Sequence, residues 1–494
     1  MVGKRRQRDF DYTSKTIWKN TGYEHAGKIF SVSYKDRGDL FQNLHIWENP
    51  KYRNLQGSYP VIFLSFADVK ETSFIQARKK ICRILKYVYK QFRFLLDSDL
   101  LDEYEKEDFR SISVTMEDNE ASYALKTLSE YLFRYYNKKV IILLDEYNTP
   151  MQEAFLNGYW EELSAFTRNL LSAAFKNNPY LERGMMTGIT RISKESIFSD
   201  LNNLTVVTSV SDAYADCFGF TETEVFQALR EFGLSDKKQE VKDWYNGFTF
   251  GAVSGIYNPW SVLHYLKTGK TGTYWANTSS NALAGKLIQE GSRNLKQEFE
   301  VLLSGKPLVT EIDEQIIYHQ LPDKKNAIWS LLLTSGYLKI LAVEISEQTG
   351  RKHYSLSLTN KEIRIIFENI IHDWFSESDD DYNDFIKALL SRDIAAMNAY
   401  MNKIAMASFR YFDTGRNPSR EEPERFYHGF VLGLMVELSG RYVLTSNRES
   451  GFGRYDVLLE PKQPGDDGII LEFKVQDWRT KSSCLILCGT RWNR

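Results

Sequence analysis

The stretch NRESGFGRYDVLLE at Asn447–Glu460, followed by PKQPGDDG and then GIILEFKV at Gly468–Val475, reads as two short strands around a polar turn. Val457–Leu459 and Ile469–Leu471 supply the apolar runs, and the Pro, Gly and Asp between them are turn formers. Asp456 opens the first strand. Glu472 and Lys474 sit two apart on the second, so side-chain alternation assigns both to one face. Two carboxylates offer the oxygen ligands that Mg²⁺ takes, and an ammonium can orient an attacking water or steady charge on phosphorus. An acid at a strand edge beside a solvated Glu/Lys face has the same pattern, so the surroundings matter. A helix over Phe426–Leu438 (FYHGFVLGLMVEL) precedes the pair, and Glu449 and Arg454 flank the Asp strand. Glu449 reads equally as a further metal or water ligand and as a loop-tip carboxylate with no role.

Asp456 with Glu472-Phe473-Lys474 at this spacing resembles the PD-(D/E)xK nuclease superfamily, and Phe426–Val475 resembles the nuclease domain that follows an AAA-ATPase-like domain in a mostly bacterial family. The resemblance implies phosphodiester hydrolysis of nucleic acid, DNA or RNA. Asp456, Glu472 and Lys474 would be catalytic, Asp456 and Glu472 would hold Mg²⁺, and Glu449 and Arg454 would be accessory.

At 494 residues, 43% hydrophobic and 14% aromatic, the chain is long and apolar enough for two or three domains with cores. A net charge of −2 provides no global basic field, so any nucleic-acid surface must come from local Lys/Arg clustering. No apolar run reaches membrane-spanning length, and the N-terminal MVGKRRQRDF lacks the apolar core of a signal peptide. Cys82, Cys217, Cys484 and Cys488 form neither a disulfide frame nor a zinc pattern, and the seven histidines are scattered. The expected location is cytoplasmic.

KVIILLDE at Lys139–Glu146 is an unbroken apolar run closed by an acidic pair, the pattern of a buried parallel strand. Such a pair is the Walker B arrangement, in which Asp145 would hold Mg²⁺ and Glu146 would polarise the water that attacks the γ-phosphate. Its plainer reading is a buried strand with an acidic loop. Tyr59–Ala67 (YPVIFLSFA) reads as a second buried strand, Lys80–Leu96 as an amphipathic helix, and Arg183–Ile192 (RGMMTGITRI) as a third strand. At its tip, Thr187 or Thr190 could sense a γ-phosphate and Arg191 contact it; a capping Thr and a surface Arg read as well. Alternation of strands and helices predicts a mainly parallel α/β sheet.

The turn-rich, aromatic segments FGFTETEV, WYNGFTF, YNPWSVL and YWANTSSN follow, and with the strands they resemble the AAA-ATPase-like family from about Leu40 to Ile288. Ala327–Asn360 continues the likeness as a helix and hairpin, a winged-helix-like connector. The expected fold is therefore α/β: a P-loop-type, AAA-like, mainly parallel sheet, a small connector, and an α/β PD-(D/E)xK nuclease-like domain. One departure stands out. The family's phosphate loop, of the form RPRRFGKT, is missing; AGKIFS at Ala26–Ser31 has no hydroxyl after its Gly-Lys and no apolar strand before it. Back-translated and read one base later, Tyr12–Thr21 becomes ILPRRFGKT. The same offset over Lys4–Phe30 permits a strand, a complete loop and a helix. Asp477–Arg494, read two bases later, becomes an amphipathic helix of good formers. The chain thus reads as frame-shifted at both ends, truncating the family's pattern. The expected parts are 1–30, aberrant; 31–288, AAA-ATPase-like; 289–375, connector; 376–384 (acidic SESDDDYND included), linker; 385–476, nuclease-like; 477–494, aberrant tail.

The favoured function is an Mg²⁺-dependent nuclease under a nucleotide switch, with binding of ATP-Mg weakened by loss of the Walker A loop. The alternative is a non-catalytic switch, regulatory or interaction protein, in defence for example. Nucleic acid and ATP are the expected partners, with homo-oligomers open to an AAA-like body and no membrane.

Overall fold

A computed structural model of the chain describes residues 27–42, 47, 49–188, 204–215, 217–275, 282–313, 325–373, 379–412, 422–450, 453–474 and 485–489. The Lys4–Phe30 reading therefore lies almost wholly outside the described residues, as do Thr190, Arg191 and residues 475–484. The chain divides into two compact units. One comprises residues up to Tyr274 with Ile312–Gly336, the other Trp275–Glu311 with Tyr337–Arg494.

The first unit is built on three parallel strands in the order β1-β2-β3: Val61–Ser65, Val140–Asp145 and Leu181–Met186. Helices α1 (Phe74–Gln91), α2 (Glu103–Ser111) and α3 (Asp118–Tyr136) connect β1 to β2, and α4 (Thr149–Asn157) and α5 (Trp160–Phe175) connect β2 to β3. Such helical crossovers are what parallel pairing requires. Every residue of β2 is buried, as expected for a central strand made of VIILLD. In α1 the buried Ala77, Ile81, Cys82, Leu85, Val88 and Tyr89 recur at helical spacing and face inward. The helix begins earlier and ends sooner than Lys80–Leu96, because the chain tightens into a 3₁₀ turn at Arg93–Asp97. Residues 27–30 form a helical turn, and Phe30 packs against the Val61, Ile141 and Leu143 face of the sheet.

The aromatic, turn-rich segments occupy α6 (Glu222–Glu231), α7 (Lys238–Tyr245), the hairpin β4–β5 (Asn246–Phe250, Val253–Tyr257) and α8 (Pro259–Thr268). Tyr245, Tyr257 and Tyr265 are wholly buried in their common core. Thr221 and Glu224 form the capping box of α6, and Asn258 caps α8 by accepting from the Trp260 and Ser261 amides at 2.9 and 3.3 Å. The helix Lys325–Thr334 also belongs to this unit and buries Trp329 completely.

The second unit holds two sheets. In the first, β6 (Leu308–Thr310), β7 (Leu338–Ile345) and β8 (Lys352–Leu358) pair antiparallel in the order β6-β8-β7. Helices α9 (Ala282–Gln289), α10 (Arg293–Leu303) and α11 (Lys361–Asp373) belong to the same unit, with Phe299 and Phe367 edge to face at 4.9 Å between α10 and α11. The expected hairpin is thus present, with β6 added at its flank. Next come α12 (Asp379–Ser391), which takes up the second half of the acidic run, then α13 (Ile394–Phe412) and α14 (Glu422–Leu438). The last sheet has the order β12-β11-β10-β9: Leu485–Gly489, Ile469–Lys474, Gly453–Pro461 and Tyr442–Ser450, all antiparallel. Within the tail read as aberrant, the apolar LILCG run forms β12 beside β11. No helix among the described residues is long and apolar enough to cross a membrane.

Candidate functional sites

Parallel register brings three polar side chains to the carboxyl edge of the first unit's sheet. Ser65 on β1 aligns with Asp145 on β2, and Leu144 with Met186 on β3, so Thr187 emerges directly beside Asp145. The Asp145 carboxylate is buried and accepts from Thr187 Oγ1 at 2.7 Å and from Ser65 Oγ at 3.1 Å. The backbone reinforces the join, because the Thr187 amide donates to Leu144 O and the Tyr147 amide to Thr187 O, both at 3.0 Å. This edge is where parallel α/β sheets bind ligands. Glu146, the next residue, adopts φ +51°, a left-handed conformation that costs a non-glycine residue about 1–3 kcal/mol. Its carboxylate accepts from Thr149 Oγ1 at 3.4 Å. Gly188 lies so close to Asn148 that a Cβ there would stand 2.2 Å from Asn148 Oδ1. Of the residues expected to contact nucleotide, the structure joins Asp145 and Thr187, while Glu146 follows Asp145 in the chain with its carboxylate on Thr149; Thr190 and Arg191 lie outside the described residues. Ser65 was not foreseen, since a serine closing an apolar strand carries no signal until its strand's neighbour and register are known.

The second site lies on the last sheet. Val457 pairs with Leu471, and both are wholly buried. Asp456 immediately precedes Val457 and Glu472 immediately follows Leu471, so continuing the antiparallel register places them opposite one another. Alternation assigns both, with Lys474, to the face away from the buried pair. On the other side of β10, Val457 pairs with Ser446 and Arg454 with Glu449, which assigns Glu449 and Arg454 positions on the same face as Asp456. For Glu449, Arg454, Glu472 and Lys474 the description is of the backbone alone; the Asp456 side chain is half-buried. Among the described side chains no three or more His, Cys, Asp or Glu converge, Glu472 not being one of them. Two carboxylates at facing register positions nevertheless suit Mg²⁺, which prefers carboxylate oxygen.

The β10–β11 turn is held from outside. Arg441, at the start of β9, donates to Asp466 from Nε at 2.8 Å and again from Nη2, and this hydrogen bonding holds the Asp466 carboxyl below the ordinary carboxylate range. Arg392, between α12 and α13, ion-pairs with Asp467, and Lys462 Nζ donates to Ser439 O at 2.6 Å. Sequence reading passed over these clamps because their arginines are remote from the turn in the chain.

Comparison with known proteins divides along the same lines. Residues 26–198 match a family model described as predicted AAA-ATPase, which spans β1, β2, β3, Asp145 and Thr187. Residues 422–484 match the PD-(D/E)XK nuclease superfamily, spanning α14 and β9–β11. An uncharacterised protein from the vnfD 5′ region of Azotobacter chroococcum mcd 1 is 25% identical over 228 residues, 46% of this chain and 42% of that protein, so the match takes in less than half of the relative's length. No solved structure matches. With a three-stranded parallel sheet in the first matched region and the antiparallel β10–β11 pair in the second, the chain has the architecture of an AAA-ATPase-like domain followed by a PD-(D/E)XK nuclease superfamily domain.

Proposed function

We propose that the C-terminal domain hydrolyses phosphodiester bonds in nucleic acid with Mg²⁺ as cofactor, and that the AAA-ATPase-like domain regulates it. The pairing of Val457 with Leu471 carries this reading, because continued by one residue it sets Asp456 opposite Glu472, with Lys474 two residues further along the same face. Asp456 and Glu472 would hold the cation, which when bound polarises a phosphoryl oxygen and makes water more acidic. Lys474 orients water for attack on phosphorus and offsets charge there as the P–O bond to the leaving group breaks. Glu449 and Arg454 shape the rim of the same face, Arg454 as a phosphate contact. Metal-dependent nicking of supercoiled plasmid tests the reading. Activity is expected with Mg²⁺ or Mn²⁺ and absent in Lys474→Ala; equal nicking by wild type and Lys474→Ala contradicts it.

In the first domain, Asp145 and Glu146 would serve a nucleotide-bound Mg²⁺ and its attacking water, and Thr187 the γ-phosphate, a reading supported by the Thr187–Asp145 contact at the sheet's carboxyl edge. The sequence contains no Walker A loop to supply backbone amides and a lysine to the phosphates. A Walker B acid touches only the metal, so ATP affinity and turnover are low in this chain. A second reading rests on the two hydroxyls, of Thr187 and Ser65, that already engage the Asp145 carboxylate: the domain acts as a non-catalytic interaction platform. A nucleotide-dependent thermal shift that disappears in Asp145→Ala would favour the switch over the platform.

A further inference from the structure

Helix α1 carries Arg78, Lys79, Lys80, Arg83, Lys86 and Lys90 and not one acidic residue. These cations divide into two sets. Arg78 pairs with Asp118 and Lys80 with Glu71, both turned toward neighbouring elements. Lys79, Arg83, Lys86 and Lys90 are all exposed, and none has an ion pair among the described residues. At 100° per residue the four fall within an arc of roughly 60° on the helix surface. The opposite side carries the apolar residues that pack inward. Arg93 is exposed just beyond the helix end and continues the line, and Tyr87, 59% exposed, stands beside it.

We propose that this ridge is a docking surface for the phosphate backbone of a polynucleotide. The chain as a whole has a net charge of −2, so a run of four exposed cations on one helix face, without an ion pair among the described residues, is a local concentration of charge rather than a sample of the average surface. From Lys79 to Lys90 the ridge extends about 16 Å at 1.5 Å per residue. Duplex DNA presents phosphates every ~3.4 Å along each strand, so the ridge tracks the backbone over about five base pairs. Exposed cations on a rigid helix contact phosphate without reading bases, so the surface binds independently of sequence. Tyr87 offers a ring on which an unpaired base can stack.

The inference stands on α1 and does not require the nuclease reading, because binding is measured without cleavage. The test is fluorescence anisotropy of the full chain with a labelled 20-mer, duplex or single-stranded, in EDTA over a range of NaCl. For wild type the logarithm of the binding constant falls linearly with the logarithm of salt. In Lys79→Gln/Arg83→Gln/Lys86→Gln/Lys90→Gln the duplex slope shrinks by about 3 to 4, at ~0.9 per lost phosphate contact, and affinity in 100 mM NaCl drops at least tenfold. The charge-conserving variant Lys79→Arg/Arg83→Lys/Lys86→Arg/Lys90→Arg retains wild-type binding, which separates charge from folding. An unchanged slope in the Gln variant overturns the proposal. So does absence of wild-type binding to either nucleic acid, or ridge-dependent binding only to phosphatidylserine vesicles. Cleavage can fail while this binding persists, and the reverse, so the two readings stand or fall separately.

Discussion

Removing the Thr187 hydroxyl probes the join between β2 and β3 directly. Thr187→Val preserves shape but deletes the 2.7 Å donor to a carboxylate that is only 3% exposed, leaving Ser65 Oγ at 3.1 Å as its remaining hydroxyl partner. A hydrogen bond to a charged group contributes about 1.5–3 kcal/mol net, and a buried acceptor left short of donors loses that without return from water. The methyl that replaces the hydroxyl recovers little, since Thr187 is only half-buried. A loss of about 2 kcal/mol follows, roughly a thirtyfold change in the unfolding equilibrium of the first unit. Urea unfolding followed by tryptophan fluorescence measures it, with the transition of the first unit compared across variants at constant m. Thr187→Ser retains the donor and should lie within about 0.5 kcal/mol of wild type. The double variant Thr187→Val/Ser65→Ala should cost more than the sum of the singles, because it strips both hydroxyls from one carboxylate. If Thr187→Val is as stable as Thr187→Ser, the Asp145 network is not what joins these strands.

Glu146→Gly removes the left-handed strain at φ +51° and should stabilise the first unit by about 1 kcal/mol; destabilisation in the same urea assay would show that the Thr149 contact outweighs the strain. Hydrogen bonding from Arg134 lowers the Glu105 pKa, so the unfolded chain takes up the proton first as pH falls. The resulting stabilisation is complete above the ordinary carboxylate range and fades as pH drops through the lowered value. With both side chains partly exposed it amounts to about 0.5–1 kcal/mol, and Glu105→Gln should abolish it, giving a flatter stability profile below about pH 5. Leu143→Ala empties part of the central strand's packing and should cost about 2–5 kcal/mol in the same assay. Asp466→Asn breaks the clamp on the β10–β11 turn; nicking should fall while α14 and β9 retain native far-ultraviolet dichroism, and unaltered nicking would show that the turn does not set the register.

The parallel sheet was legible in the sequence because a central strand is buried on both faces, and VIILLD has no polar residue to contradict that. The β10–β11 pair was legible for a different reason. Two apolar runs around a Pro/Gly/Asp turn leave few registers that bury Val457 and Leu471 together, and that pairing, continued by one residue, would align Asp456 with Glu472. What escaped reading depends on tertiary neighbours. Ser65 becomes a partner of Asp145 only through interstrand register, and Arg392 meets Asp467 only after α12 and α13 have packed. The ridge on α1 falls within the amphipathic helix that the sequence indicates; that Asp118 and Glu71 engage Arg78 and Lys80, and not the ridge cations, depends on tertiary neighbours.

Titration of Mn²⁺ into the nucleotide-free chain, with bound metal counted by electron paramagnetic resonance, addresses the second site without reference to turnover. Wild type and Asp145→Asn should each bind one ion at the last sheet, and Asp456→Asn and Glu472→Gln should each lose it. Retention of that ion in both carboxylate variants would show that Asp456 and Glu472 do not share a cation.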